Sequence, residues 1–164
     1  MSEVLRRSGV GLLAFALVAI FPATASADLT AFLGFSPTSH TRPATGFAFG
    51  INLLVVGFEF EYSRTSEREE ALTAAPGLAT TMVNGLVMTP TSKTQFYLTA
   101  GGGFFRERTG EETETSFGTN IGGGVKLALA GPIRLRLDYR VFNLRGSPRF
   151  KTPQRLYAGL NLSF

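Results

Sequence analysis

The chain has 164 residues, of which 44% are hydrophobic, no cysteine and a formal net charge of +4. Its apolar runs fall short of the ~20 residues that a transmembrane helix needs, which leaves a soluble domain or a membrane β-barrel. The mild basic excess is dispersed along the chain and forms no basic patch, so the composition argues against nucleic acid as a partner.

The N-terminal segment has the anatomy of a secretory signal peptide. Arg6 and Arg7 precede an apolar stretch over residues 9–21, and the small-residue motif Ala25-Ser26-Ala27 follows it. This pattern predicts a signal peptide over residues 1–27, cleaved after Ala27, and one mature domain over residues 28–164. An exported chain without cysteine is no disulfide scaffold, so backbone pairing and packing must hold it together.

The mature chain alternates apolar and polar residues with period two in almost every segment between turn signals, and no helical period is sustained. This predicts an all-β chain. Strands of about ten residues in an even number have the dimensions of a membrane barrel. The predicted strands, eight in all, are about Leu29–Phe35, Thr45–Leu53, Leu54–Arg64, Met82–Thr89, Gln95–Phe105, Thr115–Leu129, Ile133–Asn143 and Leu156–Phe164.

The predicted connections alternate between long and short. In an up-and-down barrel this places every long loop at one rim and every short turn at the other, as in outer-membrane barrels. The long loops carry much of the charge, which we interpret as a solvated rim in preference to a specific binding surface. The long connections are Ser36–Ala44, Thr65–Thr81, Arg106–Glu114 and Leu144–Arg155, and the short ones lie around Leu53, at Pro90–Thr94 and at Ala130–Pro132.

Alternation alone does not decide which face of the strands points inward. A soluble, lipocalin-like barrel would bury the apolar face, whereas a membrane barrel turns it toward lipid. The polar faces are rich in Gly, Ala, Ser and Asn, which suits a crowded lumen, and the absence of Trp rules out the Gly-x-Trp motif of lipocalins. These features favour the membrane barrel.

In that orientation the charged face of the seventh strand must point into the lumen. An arginine facing lipid near the midplane would cost roughly 2–4 kcal/mol, and an unpaired charge inside the barrel is also expensive. The third and seventh strands of an eight-strand ring face each other across a lumen only wide enough for side chains. We therefore predict a lumen charge network in which Glu59 and Glu61 reach Arg134, Arg136 or Arg140, and Asp138, Lys126 and Arg155 complete a polar plug. The alternative interpretation of the same residues is a gated ion path.

The chain end Tyr157-x-Gly159-x-x-Leu162-x-Phe164 resembles the C-terminal signal that the barrel-assembly machinery of bacterial outer membranes reads. With the signal peptide and the eight strands, the mature chain resembles the OmpA-like/OmpW-like outer membrane protein β-barrel domain group. The segments Gly57–Tyr62, Thr99–Gly103 and Leu135–Arg140 resemble that group's third, fifth and seventh strands. The resemblance implies an eight-stranded antiparallel up-and-down transmembrane β-barrel in the cell outer membrane. We expect a monomer, with outer-membrane lipid and the assembly machinery as its partners.

Other motifs are weaker. His40 is the single histidine and is interpreted as a solvated loop residue, so no metal site and no cofactor site are expected. Some small outer-membrane barrels are enzymes that modify lipid A. Here the last strand has no His and no amphipathic helix precedes the first strand, so neither the deacylase-like nor the palmitoyltransferase-like pattern is met. No catalytic residue is expected. The glycine runs 101–103 and 122–124 are not followed by a helix pattern, so they are not interpreted as nucleotide-binding loops. We interpret them as positions that relieve crowding between side chains or let the fifth and sixth strands curve. If the hairpin is centred near Gly110, Tyr97 would lie close to Gly123 and cover it.

The sequence thus predicts a structural outer-membrane barrel with a charge-plugged lumen and exposed loops available for surface contacts. A narrow, porin-like pore for ions or small solutes is the first alternative. A soluble exported barrel that binds a hydrophobic ligand, or an enzyme, is the second.

Overall fold

The chain folds into a closed antiparallel β-barrel in which each strand pairs with its neighbour in sequence and the last strand pairs with the first. This computed structural model describes residues 25–38, 41–67 and 75–164. The predicted eight-stranded up-and-down barrel is confirmed. The strands are β1 Ala25–Ser36, β2 Arg42–Leu53, β3 Val56–Thr65, β4 Gly77–Met88, β5 Thr94–Thr109, β6 Glu112–Ala130, β7 Ile133–Leu144 and β8 Gln154–Ser163. Within the described ranges, no helix is long and apolar enough to cross a membrane.

The two faces of the wall differ sharply in chemistry. On β3, Phe58 is 66% exposed on the outside, whereas Glu61 is 0% exposed on the inside. On β5 the neighbours Leu98 and Thr99 divide in the same way. Because successive strand residues point to opposite faces, the period-two pattern becomes an apolar outer surface around a polar interior. This arrangement is the inverse of a soluble protein.

Closure of the ring removes the free sheet edge. β1 and β8 pair from Asp28 opposite Ser163 to Phe35 opposite Leu156. Beyond them, the Ala27 amide donates to the Phe164 carbonyl at 2.7 Å, and the Phe164 amide donates to the Ala27 carbonyl at 2.9 Å. A closed barrel satisfies its backbone groups within the wall, which is a requirement for any β-structure that crosses lipid.

The predicted signal peptide lies almost wholly outside the described residues, which begin at Ala25. Residues 25–27 pair with the end of β2. Cleavage after Ala27 stays a prediction, and it would leave Asp28 as the first residue of β1.

The predicted third long loop, Arg106–Glu114, is wrong. β5 continues to Thr109 and β6 begins at Glu112, so only two residues connect them, and Gly110 adopts a positive φ of 60°. On the β6 side, charged residues alternate with threonine from Glu112 to Thr115, and this arm pairs with residues 106–109. The ladder therefore extends above the wall as a projecting hairpin. The other connections at this rim are residues 37–41, 66–76 and 145–153, and we call it the long-loop rim; the opposite, short-turn rim carries residues 54–55, 89–93 and 131–132.

The glycine-rich register of β5 and β6 also differs from the expectation. Tyr97 pairs with Gly124, and Leu98 pairs with Gly123. A Cβ atom on Gly124 would lie 2.8 Å from Cζ of Tyr97, so the phenol ring covers this glycine and not its neighbour. The hairpin tip lies between Gly110 and Glu111, which moves the whole pairing by one residue.

Small apolar clusters lie inside the barrel toward each rim. Near the long-loop rim the buried cluster is Leu78, Met82, Phe105, Phe142 and Leu144. Toward the short-turn rim Leu86, Met88 and Tyr97 form a second one. The space between these two clusters is polar and holds the site described next.

Candidate functional site

The interior of the barrel holds an equal number of buried acids and bases among the residues that the structure describes. The acids are Asp28, Glu59, Glu61, Glu107 and Asp138, and the bases are Arg42, Lys126, Arg136, Arg140 and Arg155. Charged side chains are almost never fully buried unless they are paired. The balance of charges therefore means that the lumen can be filled without a net buried charge.

Arg136 on β7 reaches across the lumen to Glu59 on β3. Both terminal guanidinium nitrogens contact the Glu59 carboxylate, and Nη2 lies 3.2 Å from Oε1. Nη2 also donates to Asp138 Oδ2 at 3.1 Å, and Nε donates to the Tyr97 hydroxyl at 2.7 Å. The fork of a guanidinium matches the two oxygens of a carboxylate, which makes this the strongest geometry for an ion pair.

Arg140 lies one step further along the same face of β7 and contacts three carboxylates. Its Nη2 is 2.8 Å from Glu59 Oε1, its Nε is 3.0 Å from Asp138 Oδ1, and its Nη1 is 3.0 Å from Glu61 Oε2. Arg140 thus joins two acids of β3 to one of β7. The predicted facing of the third and seventh strands takes this form in the structure.

Arg155 on β8 extends the network toward the long-loop rim. Its guanidinium contacts Glu61 and the Ser63 hydroxyl. The guanidinium carbon lies 4.9 Å from the ring centroid of Phe142 and 5.2 Å from that of Phe32. Arginine held over aromatic faces in a desolvated site gains cation–π attraction in addition to its ion pair.

Lys126 on β6 forms a separate pair with Asp28 on β1 toward the short-turn rim. The Asn52 amide also donates to Asp28 Oδ2, at 2.8 Å. The sequence reasoning included Lys126 but missed Asp28, because the first strand was predicted to start at Leu29. The shared parity of Asp28 with the inward-facing Thr30 and Phe32 was the signal that could have found it.

Arg134 stands apart from the network in which it was predicted to take part. It is the second residue of β7, half-buried near the short-turn rim, and its Nη1 lies 3.5 Å from Gln95 Oε1. Glu59 and Glu61 lie too far up the barrel from this mouth, so they pair with Arg136, Arg140 and Arg155 instead. Sequence reasoning gave Tyr97 only the role of covering a glycine, whereas its hydroxyl contacts Arg136. It also did not place Arg42 and Glu107, at the opposite mouth, inside the lumen.

The residues of the predicted C-terminal signal divide between the two faces of β8. Tyr157 points inward and stacks on Phe32 with ring centroids 4.0 Å apart. Gly159 also lies inward, where a Cβ would be 2.6 Å from the Ala31 carbonyl. Leu162 and Phe164 are exposed on the outer face. Tyr157 and Gly159 thus have a structural role in closing the barrel, whereas nothing inside the barrel requires Phe164.

Within the described ranges, no group of three or more His, Cys, Asp or Glu side chains could hold a metal ion. His40 lies outside those ranges. Four of the buried acids, Asp28, Glu59, Glu61 and Asp138, form ion pairs with arginine or lysine, which occupies oxygen atoms that a hard cation would need. Glu107 accepts from the Arg149 backbone amide instead.

Comparison with known proteins gives matches in structure only. No protein-family model matches the chain, and no curated protein sequence matches it. Neisserial surface protein A superposes with a TM-score of 0.65 at 20% identity, over 85% of this chain and 96% of that one. The N-terminal β-barrel domain of Pseudomonas aeruginosa OprF gives 0.62 at 14% identity, over 85% and 97%.

A third match is Ail, the attachment invasion locus protein of Yersinia pestis, with a TM-score of 0.51 at 12% identity, over 85% of this chain and 96% of that one. These identities are too low to transfer a function, but each superposition covers 85% of this chain and at least 96% of the other. The chain has the fold of the small eight-stranded outer-membrane β-barrels.

Proposed function

We propose that this chain is an integral outer-membrane protein, a structural β-barrel whose lumen is closed by its own charge network. The observation that carries the proposal is the pairing of Glu59, Glu61 and Asp138 with Arg136, Arg140 and Arg155 across the inside of a ring whose outside is apolar. No catalytic group and no cofactor belong to this proposal.

The outer surface supports a location in lipid. Leu33, Phe58, Leu98, Phe104 and Ile121 are each more than 60% exposed on the outside of the wall. An exposed apolar surface that encircles a molecule is far larger than the patches a soluble monomer tolerates. In a bilayer the same surface is solvated by acyl chains, and the strand ends meet the headgroups.

The interior supports a closed lumen. A ring of eight strands encloses a space that side chains fill. Here the Arg136 and Arg140 guanidinium groups extend from β7 to the carboxylates of β3 and occupy the middle of that space with no exposure to solvent. A permeating ion would have to displace several ion pairs at once.

Membrane location is tested by expressing the full chain in a Gram-negative host and separating the envelope fractions. We expect the protein in the outer membrane, and we expect its gel mobility to differ before and after boiling because the folded barrel resists detergent. Release into the soluble periplasm without such a mobility shift would contradict the proposal and favour a soluble exported barrel.

A narrow pore is the second candidate, because the middle of the lumen is lined by ionisable groups instead of hydrocarbon. Conductance in planar bilayers separates the two. We expect no steady conductance from the native barrel. A steady conductance that disappears in Glu59→Gln would favour the pore.

Surface contact through the rim is a further part of the proposal. The hairpin around Gly110 projects beyond the other strands and carries Glu111 and Glu112 at its tip. Ail, which shares the fold, is named for attachment. Cell or matrix binding that is lost when residues 107–114 are shortened to a two-residue turn at the membrane level would support this role, and unchanged binding would contradict it.

The remaining partners follow from the location. Outer-membrane lipid surrounds the wall, the assembly machinery contacts the last strand, and the barrel works as a monomer. Cross-linking in the outer membrane that yields only the single chain supports the monomer, and a ladder of homo-oligomers would contradict it.

A further inference from the structure

Three arginines lie on the outer surface of the wall at the long-loop rim. Arg64 on β3 and Arg106 on β5 both pair with Ala79 on β4, which puts them in one row with only a methyl group between them. Arg108 lies beyond Arg106 and pairs with Gly77. Together they line a recess of about 560 Å³, in which Glu67 is the one carboxylate among the described residues.

Among the residues that the structure describes, the recess has an excess of positive charge. Glu67 Oε2 lies 3.5 Å from Arg108 Nε, and Glu67 Oε1 accepts from the Gly110 amide at 2.9 Å. One carboxylate thus faces three guanidinium groups. The glycine and alanine of β4 leave the guanidinium groups room to converge on one ligand, because no large side chain stands between the strands.

An apolar groove of about 650 Å³ continues from this recess along the outer wall. Thr45 and Arg64 line both the recess and the groove, so the two are continuous. The floor of the groove is low because Ala31 and Ala158 present small side chains there. Its sides are Leu33, Phe47, Tyr62 and Leu160.

The groove descends from the rim into the apolar belt. Arg64 is the penultimate residue of β3, at the long-loop rim, whereas Ala31 and Ala158 lie near the middle of β1 and β8. Gly46 and Gly159 contribute to the floor; the Phe32 ring fills the space behind Gly46, and the Phe32 Cβ and Cα atoms lie behind Gly159. The groove is therefore open toward lipid and closed toward the lumen.

We propose that this surface binds one membrane lipid whose headgroup is an uncompensated anionic phosphate, with this phosphate held by Arg64, Arg106 and Arg108 and an acyl chain lying in the groove. The proposal rests on the proposed location in a membrane. Guanidinium groups are the side chains best suited to phosphate oxygens, because their forked N–H groups bind two oxygens at once. The occupant is a lipid and not free phosphate, because the cationic recess opens directly into an apolar channel of the size that ligand sites have.

The test uses the full mature barrel inserted into phosphatidylcholine nanodiscs that contain increasing mole fractions of phosphatidic acid. Native mass spectrometry counts the phosphatidic acid molecules that stay on the barrel after its release from the disc. Diacylglycerol with the same acyl chains replaces phosphatidic acid in one arm, and inorganic phosphate is added as a competitor in another. We expect one retained phosphatidic acid, no retained diacylglycerol and no competition by inorganic phosphate.

Variants separate the two halves of the site. Arg64→Gln combined with Arg106→Gln removes phosphate donors, and we expect at least about a tenfold rise in the mole fraction needed for half occupancy. Arg145→Gln combined with Arg149→Gln removes the same charge elsewhere on the rim and should leave occupancy unchanged. Ala158→Phe fills the groove and should reduce retention, whereas Ala100→Phe on the outer face of β5 should not.

Each remaining outcome would overturn the proposal. Equal retention of phosphatidic acid and phosphatidylcholine would show that the recess does not select phosphorylated lipid of this kind. Equal effects of the two double arginine variants would show that retention depends only on the overall positive charge of the rim. Unchanged retention in Ala158→Phe would show that the groove does not hold an acyl chain. A chain that fails to insert into the discs would overturn the proposed function as well, whereas an inserted barrel without lipid preference would overturn this inference alone.

Discussion

The buried charged side chains in the lumen compensate one another's charge. Arg140 contacts Glu59, Glu61 and Asp138, and Arg136 shares two of these acids. Each of these three acids therefore contacts two arginines; for Glu61 the second is Arg155. Removing one member of such a set leaves a buried charge without its partner, and this costs more than the lost contact.

Glu59→Gln should lower the free energy of unfolding in lipid vesicles by about 3 kcal/mol, because it leaves excess positive charge around Arg136 and Arg140. Glu111→Gln at the exposed hairpin tip neutralises the same type of side chain and should change the free energy of unfolding by less than about 0.5 kcal/mol. The chain has no tryptophan for fluorescence, so far-ultraviolet circular dichroism follows the urea titration of both variants. Equal stabilities for the two variants would contradict a structural role for the network.

Sequence reasoning at this scale succeeds where period two and barrel geometry act together. The positions of Glu59, Arg136 and Arg140 follow from face parity and from the facing of strands four apart in the ring. Asp28 and Arg134 were misjudged because both lie at strand ends, where a boundary shift decides whether a side chain reaches the centre of the lumen or its mouth.

The close approach of neighbouring strands leaves no space for a side chain at some glycine positions and ample space at others. In β5, a Cβ on Gly103 would lie 2.8 Å from the Met82 Cα of the neighbouring strand. In β4, a Cβ on Gly85 would meet only the Ala100 carbonyl oxygen, at 3.9 Å. The two glycines therefore have different roles although both lie within strands.

Gly103→Ala should destabilise the barrel by about 1–3 kcal/mol, because the backbone of β4 would have to move away. Gly85→Ala serves as its control and should be neutral or slightly stabilising, since alanine restricts the unfolded chain and meets no obstacle. Thermal or urea unfolding in detergent micelles measures both. A Gly103→Ala barrel as stable as Gly85→Ala would show that the close approach of β4 and β5 is not required.

The last strand allows assembly and stability to be separated. Phe164 is 67% exposed on the outer face, so Phe164→Ala should leave refolding into detergent micelles nearly unchanged. If the assembly machinery reads this residue, the same variant should accumulate poorly in the outer membrane of a Gram-negative host. Leu98→Ala, at a similarly exposed outer position, is the matched control. Equal outer-membrane levels of both variants would contradict the predicted signal.

Loop lengths were the least predictable feature of the elements. The segment 106–114 reads as a loop because it is charged, yet its alternation continues the β5–β6 ladder beyond the wall. Charge indicates exposure to water but not whether the backbone is paired. A strand that leaves the membrane keeps its hydrogen bonds while both of its faces become polar.

The whole molecule inverts the usual arrangement of a folded protein. Its apolar residues lie on the outside at every second position, and its most deeply buried side chains include Arg136 and Arg140. Eight short amphipathic strands achieve this without any long apolar segment, and for this reason the composition resembles that of a soluble domain. The outer groove beside Arg64 was invisible in the sequence, because it arises from small residues on neighbouring strands that are distant along the chain.

The central claim is that the apolar outer face contacts lipid, and the absence of cysteine from the chain allows a direct measurement. Leu98→Cys on the outer face and Glu111→Cys at the hairpin tip each accept one fluorescent label in an otherwise unreactive protein. In vesicles whose acyl chains carry bromine, we expect quenching of the label at position 98 and none at position 111, with the reverse order for aqueous iodide. Quenching of position 98 by iodide but not by brominated lipid would contradict the account.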